Sequence, residues 1–586
     1  MKVIGISGLE NAVPFKKAHW AGLDEREYRI VQGMDAAAAL VIDGKLVAAA
    51  EQERFSGKKH IGDFPIDAIR FCLKQAGVSI DEIDELAHGF DYAPYRGLYA
   101  GDETSSELYE EVFSREALLK QVRRDLPNFP LDRVHQVGHH LAHAASAAFT
   151  SGWDECLIVV NDAMGEMESL SVYNFHDGEF KKIRTIGAND SIGILYSLVT
   201  LHLGFDFNSD EYKTMGLAPY GDPARYRKFF EEAVELCRDG SIRIPMLKLN
   251  RTREERENYT ATRAHLDEHL IARRAPELSV NGNHEDVAAA LQECVERVVM
   301  HVCEHFGEAT GLRRLALAGG VALNCTANGK LTRSNLFDEV YIQPVAGDDG
   351  VALGAALYRT ALSERIPNQR FPAPLFGPQY SDAEVEAALQ RFSGKIQWRR
   401  YATLDETCAA AAKLIADGRV IAWSRGRMEY GPRALGNRSI LADPGHPEMR
   451  DRINAMVKKR EAFRPFAPAC SAEEAHRWFE VAAGAEFPYM ISIVNVRPEL
   501  REKLSAITHV NGSARLQTVS ANDNPDFHAL LLAVGKTTGR QMVLNTSFNV
   551  KGLPIVNTPE EAIATFLGTG IDYLFLENFH VTRAAA

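Results

Sequence analysis

The sequence predicts an α/β protein of two to four domains, and three observations carry that expectation. Short apolar runs closed by glycine or Asp-Gly turns recur at 3–9, 36–50 and 157–175, the plan of strands joined by tight turns. Strand, glycine turn and helix then follow one another twice, at 314–331 and 339–362. Finally "RIPNQRFPAPLFGPQYSD", 365–382, holds four prolines and no periodicity, and the texture changes after it. These features predict a first domain at 1–364, a linker at 365–382 and a second domain at 383–586.

At 586 residues the chain exceeds what one core supports. Hydrophobic residues make up 46% and charged residues 25%, as in soluble globular proteins. A net charge of −13 argues against nucleic acid as a partner. The eight cysteines are scattered without a CxxC pair, which argues against a zinc ribbon and against a disulfide framework and suits a reducing cytoplasm. With no apolar run of about 18 residues and no signal-peptide pattern at the start, neither a membrane span nor secretion is expected.

In chain order, "KVIGISG" reads as a buried strand entering a turn, and a polar segment runs from Glu10 to about Gln32. "AAAALVIDGKLVAAAEQERF" makes a hairpin about Asp43-Gly44, and "PIDAIRFCLKQAG" an amphipathic helix ended by glycine. "ECLIVVNDAMGEMESLSVYNFHDGEF" repeats the opening plan with a turn at Asp177-Gly178. In "HEDVAAALQECVERVVMHVCEHFGEATG" the residues Val287, Leu291, Val295, Val298, Val302 and Phe306 form one helical stripe. The mixed charges of 248–274 predict a solvated helix.

Candidate chemistry begins at "VGHHLAHAASAAF", where His139 and His143 stand one helical turn apart, about 6 Å on one face. They read either as a metal pair or as part of a histidine-rich core helix. Asp162 follows the apolar run "LIVVN" and Asp348 follows "VYIQPVAG", so both stand at strand ends. Two imidazoles with two carboxylates suit Fe(II), Zn or Mn. Asp349-Gly350 reads as loop capping. A metalloprotease helix would need glutamate after the first histidine, and His140 stands there. The glycine turn at 318–329, with Gly319, Gly320 and Asn324, offers backbone N–H groups of the kind phosphates need.

The C-terminal half concentrates cations: Arg425, Arg427, Arg433, Arg438, Lys458, Lys459, Arg460 and Arg464. Arginine forks match phosphate and carboxylate oxygens, and Arg433 and Arg438 lie where glycine and proline hold the backbone tightly. "LNTSFNVKG" sets Asn545, Thr546, Ser547 and Asn549 after an apolar strand, either as a polar binding row or as a capped turn.

The repeated hairpin plan resembles the actin-like ATPase superfold, in which two related halves clamp a nucleotide. The stretches "DAAAALVIDGKLVAAAEQERFSGKKH", "HHLAHAASA", "DEYKTMGLAPYG", "AGGVALNCTANGKL", "GPRALGNRS", "RPFAPA" and "NTSFNVKGLPIV" together resemble the O-carbamoyltransferase family of nodulation-factor and antibiotic-tailoring enzymes (NodU/CmcH type, including the tobramycin enzyme). The resemblance runs nearly end to end. It implies an actin-like first domain related to tRNA threonylcarbamoyl-transferases and a YrdC-like second domain. The second would make a carbamoyl adenylate from carbamoyl phosphate and ATP. The first would pass the carbamoyl group to a hydroxyl of a small natural product.

The resemblance also implies site residues. His139, His143, Asp162 and Asp348 match the metal and nucleotide-phosphate site, which turns the histidine question toward a metal, Fe(II) in kind, with Zn, Mn or Mg as alternatives. Lys59 of "GKKH" matches a lysine near the active sites. Arg433, Arg438, Lys458, Arg515 and Ser547 match residues that bind carbamoyl phosphate and the adenylate. His139, Asp162, Lys59 and Arg433 are the expected catalytic groups, and a monomer or homodimer is expected.

One departure matters. The family has His-Asp early in the chain, and here Met34 precedes Asp35 in "GMDAAAAL", so a candidate base is missing. His19, His140 or an acceptor needing no strong base are the alternatives. Two rival functions are tRNA threonylcarbamoylation, disfavoured by the acidic charge, and a non-enzymatic actin-like scaffold, which leaves the C-terminal arginines unexplained. The related hydrogenase-maturation enzymes carry zinc-finger cysteines that this chain lacks.

Overall fold

Two continuous apolar runs flanking the Asp43-Gly44 turn place β2 (Ala37–Ile42) and β3 (Lys45–Glu51) side by side, and β1 (Lys2–Ile6) pairs antiparallel with β2, Ile6 facing Ala38. The computed structural model describes residues 1–367, 370–458 and 460–584, so Lys459 and part of the 365–382 stretch lie outside the described residues. The chain divides into two units, Met1–Glu53 with His60–Phe371, and Arg54–Lys59 with Pro372–Ala586. The break after Phe371 falls within the proline-rich stretch. The hexapeptide Arg54–Lys59 joins the second unit, an assignment that a single linear boundary cannot express.

In the first unit, β4 (Glu85–His88) and β5 (Val134–Gln136) extend the sheet in parallel, giving the order β3-β2-β1-β4-β5. A second sheet repeats this plan. Its antiparallel meander is β6 (Glu155–Gly165), β7 (Glu168–His176) and β8 (Glu179–Gly187), and β9 (Arg314–Ala318) and β10 (Glu339–Ile342) continue in parallel from β6. Its order is β10-β9-β6-β7-β8, the same three antiparallel strands followed by two parallel ones. This duplicated α/β plan is the actin-like arrangement expected from the recurring hairpins.

Two helices pack so closely that only small residues fit between them. Helix α1 (His139–Ser151) is buried along nearly its whole length, and the alanines of "HHLAHAASAAF" supply its flat surface. Helix α2 (Asp348–Ala361) crosses it where a Cβ on Gly354 would stand 1.8 Å from the Ala142 carbonyl oxygen. A Cβ on Gly5 of β1 would likewise meet the Ala352 oxygen at 1.8 Å, so α2 also lies directly on the first sheet. The expected stripe Val287 to Phe306 lines the long helix Gly282–Thr310, and all six side chains are buried.

Two sequence expectations change. The polar segment 10–32 contains a helix, Ala12–His19, whose Phe15 and Lys16 are buried; eight residues are too short for a periodic pattern to stand out. The 248–274 stretch is not one solvated helix but two, Arg253–Asn258 and Thr260–His269, broken at Tyr259 with φ of 50°. Its Asn258, Thr262, Arg263 and Leu266 are buried, and Arg263 pairs with Glu27 of the N-terminal segment.

The second unit is built on an eight-stranded mixed sheet: Ile396–Arg400, Phe579–Arg583, Tyr573–Leu576, Ile421–Ser424, Arg438–Ala442, Met542–Ser547, Ala467–Ser471 and Gln517–Val519, in spatial order. Helices Leu404–Ala416 and Pro525–Thr538 bury Ile415, Leu530 and Leu531 against Trp423, Val543 and Phe575 of the sheet. The other core gathers Ile440, Leu544 and Leu574 with Ile563 and Phe566 of helix Pro559–Leu567. Each buried aliphatic or aromatic side chain contributes about 1.5–3 kcal/mol.

Replacing Gly354 by Ala should therefore force α1 and α2 apart and cost on the order of 1–3 kcal/mol, read as a lowered denaturation midpoint. Gly97→Ala, where an added Cβ meets nothing within 4 Å, should leave the midpoint unchanged.

Lys16 gives a second prediction. Its ammonium donates to the Ile30 and Glu257 carbonyls at 2.7 and 2.9 Å, and burial lowers its pKa to about 8 against the pull of Glu257. The unfolded chain then binds more protons than the folded one between pH about 8 and 10.5, so this group makes stability rise with pH across that window. Lys16→Met should remove a rise on the order of 3 kcal/mol, seen by comparing denaturation of the two proteins at both ends of the window.

Candidate functional site

The N-terminus of α1, the C-terminal part of β6 and the first residue of α2 converge on four ligand-type side chains. Ligand atoms of His139, His143, Asp162 and Asp348 all lie within 4.8 Å of one another. His139 Nε2 is 3.5 Å from Asp162 Oδ2, 3.5 Å from Asp348 Oδ1 and 3.1 Å from His143 Nε2. Both histidines are fully buried. The i,i+4 spacing puts the two rings on one helical face, and the close approach of α2 delivers Asp348 to that face.

The surroundings fix these groups as ligands are fixed. His139 Nδ1 is 3.1 Å from the Gly89 carbonyl, which only accepts, so the proton stays on Nδ1 and Nε2 turns inward. Phe90 stacks on the same ring at 4.2 Å. Gly320 N–H donates to Asp162 Oδ1 at 3.0 Å, and Gly319, at φ of 89°, lies where a Cβ would stand 2.3 Å from the Asn161 oxygen. Gly319 is thus required by close backbone approach.

The charges favour a cation here. Burial lowers the His139 pKa, but Asp348 and Asp162 outweigh it and lift the pKa well above the ordinary imidazole value. Burial, reinforced by His139, pushes His143 down to about 3, leaving it neutral with a lone pair to give. Burial raises Asp348 to about 6 although His139 pulls it down. Asp162 is held below the usual carboxylate range, because its hydrogen bond to His139 and the three neighbouring imidazoles overcome burial. Two imidazoles and two carboxylates fit a borderline divalent ion.

Sequence reading missed Glu166, whose buried carboxylate accepts from the N–H groups of His139 (2.9 Å) and Asp91 (2.7 Å). It caps α1 beside His139, and burial lifts its pKa to about 7. Its place in "NDAMGE", four residues after Asp162, was the available clue. His140 points elsewhere: its Nδ1 meets Ser171 Oγ at 2.8 Å, and Ser171 donates to Glu168. His19 stacks on Phe15 and reaches Glu107 at 3.2 Å. Asn324 caps the helix Cys325–Arg333 through Ala327 N–H and pairs with Gln292, so its side chain has a structural task. Asp349, expected as a loop cap, is instead the second residue of α2, and its carboxylate accepts from Gly350 N–H at 3.0 Å.

In the second unit the loop from Gly426 to Asn437 wraps around a buried carboxylate. Glu429 Oε1 accepts from the N–H groups of Leu435, Asn437 and Arg438 at 2.7, 2.8 and 3.2 Å. Asn545 and Gln517 donate to the Ala434 and Leu435 carbonyls. Arg438 is buried, and its guanidinium donates to the carbonyls of Gly426, Asn437 and Pro378 at 2.8–3.0 Å. Arg438 therefore holds the loop that carries Arg433, which is half-buried. Arg425 pairs with Asp526, and Arg427 bonds the Phe376 carbonyl.

Lys458 makes the second convergence. Its buried ammonium donates to the Ser547 carbonyl (2.5 Å), the Asn549 carbonyl (3.1 Å) and Asn549 Oδ1 (2.7 Å), with Ser547 Oγ at 3.3 Å. Burial, with the charges of Arg460, Arg464 and Lys59, pushes its pKa well below the usual lysine value. The hexapeptide lysine thus stands near Lys458 within the second unit. Arg515 ends the short strand Ser513–Arg515, opposite Ile493. Like charges gathered at one place are suited to a polyanion.

One α/β unit thus holds a carboxylate–imidazole cluster, and the other a cluster of lysines and arginines. The chain belongs to the carbamoyltransferase family: the N-terminal family model matches residues 31–95 and 98–357, and the C-terminal one matches 412–583. Nodulation protein NolNO of Sinorhizobium fredii is 41% identical over 560 residues, 94% of this chain and 79% of that protein. The 3'-hydroxymethylcephem-O-carbamoyltransferase of Streptomyces clavuligerus is 30% identical over 542 residues, 91% of this chain and 94% of that one. Among solved structures, full-length HypF in the phosphate- and nucleotide-bound form is 13% identical with a TM-score of 0.31, covering 62% of this chain and 56% of that chain. Component A of (R)-2-hydroxyglutaryl-CoA dehydratase from Acidaminococcus fermentans is 14% identical with a TM-score of 0.31, covering 62% of this chain and all of that one. Both structural likenesses are too distant to assign an activity.

Protein loaded anaerobically with Fe(II), Zn(II) or Mn(II) should hold about one ion per chain by elemental analysis. His143→Ala should abolish this stoichiometric binding, and Glu166→Gln should weaken it by about tenfold as an outer hydrogen-bonding partner.

Proposed function

We propose that the protein is an ATP-dependent carbamoyltransferase whose second unit hydrolyses carbamoyl phosphate to carbamate and inorganic phosphate and joins the carbamate to the α-phosphorus of ATP, forming a carbamoyl adenylate and releasing pyrophosphate. The first unit then passes the carbamoyl group to a hydroxyl of a small natural product and releases AMP. The observation that carries this reading is the crowding of Lys458, Lys59, Arg460 and Arg464 in a unit that matches the family's C-terminal model. A carbamoyl carbonyl conjugated to nitrogen is a weak electrophile, and adenylation gives it a good leaving group.

The chain's own residues serve each half of this scheme. Lys458, held by the Ser547 and Asn549 oxygens, offers a fixed point charge to phosphate oxygens, and Lys59 adds a second. Arg433, on the loop that Glu429, Arg438 and Asn545 hold in place, and Arg515, at the end of its short strand, supply planar forks for phosphate or carboxylate. In the first unit Gly319, Gly320 and Asn324 lie on the turn beside Asp162, where the Gly320 N–H also fixes that carboxylate. A divalent ion held by His139, His143, Asp162 and Asp348, Fe(II) by our choice with Zn, Mn or Mg as alternatives, would supply positive charge against phosphate oxygens. A cytoplasmic enzyme acting as a monomer or homodimer, without nucleic acid or membrane, completes the reading; no described helix is long and apolar enough to cross a membrane.

Pyrophosphate release from ATP and carbamoyl phosphate, measured without an acceptor, tests this reading. Release that requires carbamoyl phosphate is expected, with a loss of at least about 100-fold in Arg433→Ala. Pyrophosphate release indifferent to carbamoyl phosphate, or none from folded and metal-loaded protein, would sink it.

A further inference from the structure

Outside the four-ligand cluster, a second set of acid and imidazole groups stands at the same end of the first sheet. His60 Nδ1 is 2.6 Å from Asp35 Oδ1, and His60 N–H donates to Glu53 Oε2 at 2.9 Å. The atoms of Asp35, Glu53 and His60 lie close enough to suggest an ion, but 2.6 Å is a hydrogen-bond length, shorter than the spacing of two ligands on one ion. Both Asp35 and His60 have positive φ, 58° and 51°, in a backbone region that bulky residues rarely adopt. The packing holds them there: Ala36 N–H donates to the Ile61 carbonyl at 2.8 Å, and a Cβ on Gly8 would stand 2.7 Å from Ala36 Cβ and 2.9 Å from the Gly62 oxygen.

Three further observations give this pair a role. Asp35 stands two residues before β2, at the end where Ala38 pairs with Ile6, and α2 lies over Gly5 of the adjoining strand; the Asp35 charge contributes to raising the pKa of Asp348. With its Nδ1 proton directed to the carboxylate, His60 keeps the Nε2 lone pair, as a carboxylate-oriented base does. The side chains of His60 and Asp35 are 23% and 33% exposed, so a substrate can reach them, whereas the rings of His139, His140 and His143 are buried.

We propose that His60, oriented by Asp35, is the base that takes the proton from the acceptor hydroxyl. This rests on the carbamoyl-transfer reading given above. As the hydroxyl proton moves to His60 Nε2, the oxygen forms a bond to the carbamoyl carbon. The bond from that carbon to the adenylate phosphate oxygen breaks, and its electron pair leaves with AMP. Met34, buried beside Asp35, contributes no proton acceptor.

The test compares AMP formation in single turnovers with water and with hydroxylamine as carbamoyl acceptors. Hydroxylamine attacks through a neutral nitrogen lone pair, whereas water must lose a proton as it attacks. In His60→Ala the water-dependent rate should fall about 100-fold and the hydroxylamine-dependent rate less than about threefold, with free imidazole restoring part of the loss. Asp35→Asn should give a smaller loss of the same kind, separating positioning from misfolding. Equal losses with both acceptors, or no loss with either, would overturn the proposal. Absence of carbamoyl-phosphate-dependent pyrophosphate release in the unmodified protein would instead remove the reading on which it rests.

Discussion

The approach of two helices to backbone contact underlies the first unit's chemistry. Gly354 rests on the Ala142 carbonyl, and Gly5 of the first sheet rests on Ala352, so α2 is pressed between α1 and β1. Because interiors are close-packed, such contacts leave little freedom for the ends of the elements. His139 and Asp348, at the starts of these two helices, are therefore held 3.5 Å apart. The alanines behind the histidines are the means by which one helix reaches the other.

The two units meet opposite electrostatic demands with the same device. In the first, buried carboxylates gather around imidazoles and raise the affinity of the place for positive charge. In the second, carbonyl oxygens hold a buried ammonium in place, and the positive charges of Arg460, Arg464 and Lys59 near it favour an anion. In both, backbone groups fix the charged side chains: Gly320 N–H on Asp162, Gly89 carbonyl on His139, Ser547 carbonyl on Lys458. Charges fixed in advance need not reorganise when a charged ligand arrives.

Arginine-rich loops read from sequence alone look like one binding surface, and the structure divides them. Arg438 spends its guanidinium on loop carbonyls, Arg425 on Asp526 and Arg427 on Phe376. Glu429 was not legible as important, because a lone glutamate among arginines suggests a salt bridge. Its carboxylate instead collects three backbone N–H groups, a role decided by the path of the loop. Asp35 and His60 were invisible as a pair for a related reason: 25 residues separate them, and the Ala36–Ile61 hydrogen bond with the packing of Gly8 against Ala36 and Gly62 joins their loops.

What the sequence determined by itself was local and periodic. Hairpin turns at Asp43-Gly44 and Asp177-Gly178, the stripe Val287 to Phe306 and the i,i+4 histidines depend on neighbours along the chain, so their physics was readable there. Of the two aspartates expected at strand ends, Asp162 lies inside β6, which runs on to Gly165, and Asp348 is the first residue of α2, six residues beyond the end of β10 at Ile342. Tertiary structure alone decided that Lys59 belongs with the second unit, that Glu166 caps the first metal-type histidine, and that 10–32 and 248–274 pack on each other through Lys16, Glu257, Arg263 and Glu27. Those outcomes rest on burial and hydrogen bonding between residues distant in sequence, and no property of either segment alone specifies its partner.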